Sequence, residues 1–152
     1  MSIQRRDYIM RLIEQFAQVL ARIMGLRKAG KLDEAQILVN ETADGIFGSL
    51  RSMIDKVDAS TAAGLLAGRE KIAVYAALSA EEAEIAASKG DARKAQARRH
   101  RALELYLEAS RLGELDAHSL ANVELLRQAV NVDRINTRYR ELLERLPRPV
   151  ND

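Results

Sequence analysis

The chain has no cysteine and no tryptophan, and in 152 residues it carries only two prolines, two histidines, eight glycines and six other aromatic side chains, two Phe and four Tyr. Each scarcity excludes something. Without cysteine there is no disulfide scaffold, no thiolate nucleophile and no thiolate-held zinc. Two histidines, His100 and His118, leave little material for metal or proton-transfer chemistry. Neither charge sign dominates, with 24 Lys+Arg against 22 Asp+Glu and a formal net charge of +2. No apolar run approaches the roughly 18 residues of a membrane span, the longest being stretches such as residues 72–78. The opening residues also lack the apolar core of a secretory signal, so the expected location is cytoplasmic.

What is present points to helices. The chain is 47% apolar and 30% charged, enough hydrophobic material to escape disorder. Ala, Leu, Arg and Glu abound, all good helix formers. A length of 152 residues suits one domain, expected over residues 1–146, with a flexible tail at 147–152 beginning at Pro147. Helical periodicity dominates. From Tyr8, apolar residues recur at Ile9, Leu12, Ile13, Phe16, Val19, Leu20, Ile23 and Met24, one stripe of a long helix that Gly30 ends. A second helix starts at Leu32 with Asp33 and Glu34 in its first turn, where acids suit the dipole, and Gly45 with Gly48 is expected to loosen its end. Brief helical turns are expected between Ser49 and Gly68, with Asp58 or Ser60 as a cap. Long helices follow from Arg69 to about Lys89 and from Asp91 to Gly113. Asp116 can cap another, and a last one carries Ile135, Tyr139, Leu142, Leu143 and Leu146. No segment sustains two-residue alternation, so the fold class is all-α.

Two joints share a pattern sixty residues apart, Gly30-Lys31-Leu32-Asp33-Glu34-Ala35 and Gly90-Asp91-Ala92-Arg93-Lys94-Ala95. The glycine permits a left-handed turn, and the alanine five residues later lets two antiparallel helices approach closely. This resembles the tetratricopeptide repeat, whose joint carries Gly and Ala at this spacing. The second copy matches better, with Ala83 before the joint and Ala102 and Leu103 after it. It departs where the repeat's large residues would fall, at Ser79, Glu82, Ala86 and Arg99. The first copy has Ile23 in place of a small residue and Thr42 in place of Ala. A spacing of sixty instead of about 34 makes the chain repeat-like and not a uniform array. The opening segment from Arg6 to Glu14, with Gly30 and Ala35, is also similar to an uncharacterised family of small bacterial helical proteins, a resemblance that brings no activity. The resemblance implies antiparallel hairpins in a right-handed stack of about six or seven helices.

Chemistry has few footholds. Arg93, Lys94, Arg98, Arg99 and Arg101 flank His100, a run that could grip phosphates; folding about Gly90 would set Glu81 opposite Arg98 and Glu84 near Lys94, absorbing much of that field. Arg98 lies near the inward stripe between Ala95 and Ala102 and must meet a carboxylate or reach water, so at least one of Glu81, Glu82 and Glu84 should bridge to Arg98 or Arg99. No nucleophile motif, phosphate loop or metal spacing accompanies the acids or histidines. Ile3, Tyr8 and Leu26 sit off the main stripe of the first helix and could be covered by a second subunit; the seven cations against two acids of residues 1–31 would also suit an anionic membrane surface, a weaker option because folding needs the apolar face.

The expectation is a non-enzymatic protein-interaction or scaffold module without cofactor or metal, self-associating as a homodimer, with an unidentified protein or peptide partner. The alternative is a nucleic-acid accessory protein using residues 93–101.

Overall fold

The two glycine joints are built alike. In the computed structural model, which describes residues 3–148, Gly30 and Gly90 take φ of +79° and +84°. At each, the next residue's N–H reaches back five residues (Lys31 to the Leu26 carbonyl, Asp91 to that of Ala86), while the glycine N–H bonds three residues back. This paired closure satisfies the last carbonyls of a helix and reverses the chain. It joins α1 (Ile3–Lys28) to α2 (Leu32–Phe47) and, after α3 (Leu50–Ile54) and α4 (Ala59–Leu66), joins α5 (Arg69–Ser88) to α6 (Ala92–Ser110). Then come α7 (Ala117–Ala129), a 3-10 turn (Val132–Arg134) and α8 (Thr137–Arg145). The described residues thus hold eight α-helices and no strand, more than the six or seven expected, because α3 and α4 are separate elements. None of these helices is long and apolar enough to cross a membrane. Of the expected tail, residues 147 and 148 are non-helical and 149–152 lie outside the described residues.

Caps fall on the side chains suited to them. Asp58, Asp91 and Asp116 accept the backbone N–H of Thr61, Lys94 and Ser119 at 2.8, 3.1 and 2.7 Å, each satisfying one of the four donors a helix start leaves open. Glycine is a poorer guide. Gly45 and Gly64 lie inside α2 and α4, and α4 ends instead at Ala67, which takes φ +53°. The last apolar segment divides, with Ile135 between the 3-10 turn and α8.

The core centres on α5 against α6, which share by far the most extensive contact of any helix pair. Ala95, Ala102 and Ala109 recur every seven residues on α6 and are almost wholly buried, as are Ala76 and Ala83 of α5. Small side chains on both helices suit a close approach of the two axes. Larger residues fill the flanks: Ile72, Ile85, Leu103, Leu105 and Tyr106 are nearly inaccessible. The Tyr106 hydroxyl accepts a bond from Asn122 Nδ2 at 2.9 Å, anchoring α7. A buried carboxylate anchors α8. Glu108, 3% exposed, accepts from Arg111, Arg138 and the Tyr139 hydroxyl, the multiple pairing a buried charge requires. Burial, and then the Glu108 charge, push the Tyr139 phenol up to about 12.

Among the described residues two buried side-chain polar atoms have no hydrogen-bond partner, Arg140 Nε and the Ser79 hydroxyl. Ser79 is 1% exposed on α5 and its Oγ has no hydrogen-bond partner. A hydroxyl kept from water without a partner costs about 1 kcal/mol or more. Ser79→Ala should therefore raise unfolding stability by up to about 1 kcal/mol, read from the urea midpoint; a lower midpoint would show that the hydroxyl has a stabilising contact.

Candidate functional site

The basic run of α6 is largely engaged with its own protein. Arg98 lies 3.8 Å from Asp55 and 3.9 Å from Glu82, and Arg99 lies 3.4 Å from Glu84. The bridge expected between this run and the acids of α5 is present, with different partners. Glu81 pairs instead with Arg27 of α1 at 2.8 Å, and Glu84 takes Arg99, not Lys94. Arg101 donates to the Ile54 carbonyl at 2.5 Å and so closes the end of α3. Of the five cations, only Arg93 and Lys94 are classed as exposed. Around Arg98 the polar groups interlock: the Tyr75 hydroxyl donates to Asp55, and Arg51 donates to Asn40 Oδ1 at 2.8 Å. Burial pushes the Glu82 carboxyl above the usual range, against the pull of Arg98 and Arg51. Burial and the bond to Asp55 likewise push the Tyr75 phenol upward. The cluster ties α2, α3, α5 and α6 together.

The open surface lies on the other side. α1, α5 and the start of α7 enclose a cleft of about 960 Å³. Its floor is Ala73, Val74 and Ala77 of α5 with Tyr106 beneath, and its α1 wall includes Met10, Ile13, Phe16, Ala17, Leu20 and Ala21. The opposite wall is residues 115–119. Charge is confined to one end, where Arg6, Arg69, Glu70, Glu114, Asp116 and His118 gather. Most of these groups are occupied. Arg69 donates to the Glu114 carbonyl at 3.0 Å and to Glu70 at 3.2 Å, Asp116 is the cap of α7, and His118 lies 3.3 Å from Asn122 Nδ2. Gly113 makes room for the clamp, since a Cβ there would meet Arg69 Nη1 at 2.5 Å. Among the described residues no three His, Asp or Glu side chains group as a metal site.

The residues expected to mediate self-association separate. Ile3 is 79% exposed on α1. Tyr8 is 51% exposed, with the Lys71 amine 5.9 Å from its ring centroid. Leu26 is half-buried against the core, so it is not an open contact in this fold. Met10 at 53% and Ile13 at 38% are exposed instead. Ile13 belongs to the apolar stripe read from the sequence and Met10 does not, and α7's position, which makes them a wall, has no local signal.

Comparison with family models, with curated proteins and with solved structures returned no match.

Two predictions follow from this geometry. A carboxyl held above its unfolded pKa stabilises the fold fully below that unfolded value, near pH 4, and the contribution is lost as pH rises through the folded value. Glu82→Gln, which mimics the protonated form, should equal wild type below about pH 4 and match or exceed it at pH 7; a clear loss at pH 7 in denaturation profiles would contradict the direction assigned to Glu82. Arg69→Ala should leave the global melting transition near wild type and speed amide exchange at residues 115–119, because only the clamp on that wall is lost.

Proposed function

We propose that this chain is a non-enzymatic interaction module, tetratricopeptide-like in build, that holds an amphipathic helix in the groove between α1 and α7 over α5. The observation that carries the reading is the cleft of about 960 Å³, apolar along its length and charged at one end. Small floor and wall residues, Ala17, Ala21, Ala73 and Ala77, let a helix backbone come near, and Ile13, Phe16, Leu20 and Val74 supply apolar contact. Stacked helical hairpins present grooves of this kind to peptides and proteins, and a helix laid in such a groove anchors through residues three and four apart. The rim is mixed in charge, with Arg6 and Arg69 beside Glu70, Glu114 and Asp116, so a bound helix would meet polar partners of both signs at that end. Nucleic-acid binding through α6 is disfavoured, since Arg98, Arg99 and Arg101 already have acidic or carbonyl partners.

Selection of helical peptides from a random display library against the full chain tests this reading. Enriched sequences should share an apolar stripe, slow amide exchange in α1, α5 and residues 115–119, and lose binding to Ala73→Glu. Binders that instead protect residues 93–101, or that bind Ala73→Glu equally well, would overturn it.

A further inference from the structure

Beside the charged end of the groove lies a second, smaller pocket of about 330 Å³. Ile9, Arg69 and Glu70 line both, so the two spaces adjoin. The smaller one is completed by Arg5 of α1, Lys71 in the first turn of α5, and Leu112, which is 62% exposed. The charges at this end are thereby sorted by side. Glu114 and Asp116 line the groove and not the smaller pocket, and Asp116 is already committed to capping α7. The pocket has three cations, Arg5, Arg69 and Lys71, against the single acid Glu70. Glu70 is paired with Arg69 at 3.2 Å. Among the described residues the Lys71 amine has no carboxylate within salt-bridge distance, only the ring of Tyr8 at 5.9 Å. The pocket is therefore positive, and Ile9 and Leu112 give it an apolar patch that continues the character of the groove.

The geometry points to a partner helix that is acidic at one end: the groove takes its apolar stripe, and an Asp or Glu side chain just past that stripe seats in the smaller pocket among Arg5, Arg69 and Lys71. This inference rests on the reading of the groove as a helix-binding site and states the chemistry of the partner. The lengths agree. α1 lines the groove from Arg6 to Met24, about 27 Å at 1.5 Å per residue, so a helix of about five turns fills it and the next turn reaches the pocket. Arg69, Glu70 and Lys71 are all half-buried, and charge pairs made there are screened by salt less than pairs on open surface. A lysine or arginine in place of the acid would face the same cations, and like charges set together at an interface are strongly disfavoured. The pocket thus fixes direction as well as composition. The acid-bearing end of the partner lies by the start of α1, and its other end lies near Met24.

Fluorescence titration of helical peptides selected from the random library, synthesised singly, tests the charge. Their sequences should carry Asp or Glu in the turn that follows the apolar stripe. Changing that acid to Lys should weaken binding to the wild-type chain about tenfold, and Lys71→Glu should weaken binding of the acidic peptide to a similar degree. The reversed pair, Lys71→Glu with the Lys-bearing peptide, should bind more tightly than either mismatched pair, a gain that a misfolded variant would not show. Glu in the first turn of a helix suits its dipole, and melting followed by circular dichroism checks that the variant folds. Peptides that lose binding to Ala73→Glu but show no acidic preference, or bind Lys71→Glu as well as wild type, would overturn the acidic-end inference and leave the interaction-module reading standing. A library that yields no binder, or only binders indifferent to Ala73→Glu, overturns both. Dodecanoate bound in the groove more tightly than any selected peptide would give the cleft to an acyl chain. A wild type that sediments at twice 16.9 kDa, with Ala73→Glu monomeric, would give it to a second copy. Either result would also overturn the proposal.

Discussion

The fold depends on how closely α5 and α6 approach. Alanines at 95, 102 and 109 of α6 and at 76 and 83 of α5 are buried, as is Ser79, and this helix pair shares the most extensive contact in the fold. A larger residue at any of these positions would push the two axes apart, and packed interiors resist such overfilling at a cost of about 1–3 kcal/mol. Everything else is positioned from this pair. α1 and α2 lean on α5, α4 and α8 on α6, and α7 lies against both. The floor of the groove is the free side of α5, so the same seam that forms the core also sets the depth of the cleft.

The charged residues follow from that arrangement. A seam of alanines is narrow, and long side chains at its margins must run along it to water or to a partner. Arg98 and Arg99 do the latter with acids of α5, Arg27 crosses from α1 to Glu81, and Glu108 collects donors from α6 and α8. These bridges are partly shielded from solvent, unlike the exposed Lys89–Asp33 pair beside the joints, for which screening leaves little net effect. A run that reads as basic in one dimension is therefore partly compensated in three, with Arg93 and Lys94 left exposed. Arg98, Arg99 and Arg101 are spent on holding helices together.

The sequence made the hairpins legible because their causes are local. Gly30 and Gly90 each sit where only a left-handed residue closes the helix, and Asp91 and Asp116 each stand three residues before the N–H they cap. The seven-residue alanine spacing could likewise be read from one helix alone. Less legible were the elements whose limits depend on tertiary partners. Gly45 reads as loosening the end of its helix, yet packing of Ala43 and Phe47 carries α2 past it. The partner of Arg98 was misassigned by one residue, to Glu81 in place of Glu82, because the rotation of α5 against α6 is set by the whole seam. Leu26 read as spare apolar surface and proves half-covered. The groove itself needed the turn after α6, where Arg69 crosses over Gly113 to hold the Glu114 carbonyl, a contact spanning 45 residues of sequence.

The first helix shows why apolar periodicity alone cannot separate core from surface. Its stripe is wider than one neighbour needs. Phe16, Leu20 and Ile23 satisfy the chain's own core, and the second face, turned about a quarter of a circle away by the helical repeat of about 3.6 residues per turn, carries Met10 and Ile13 into the cleft. Had that second face served the monomer's core, its large residues would have been buried and its small ones placed where α5 comes nearest. They are not: the large residues stand exposed toward the N-terminal end and the small ones follow along the same open line. The apolar line left exposed is the α1 wall of the cleft, so the excess width of the stripe and the open groove are one feature seen first in the sequence and then in the fold.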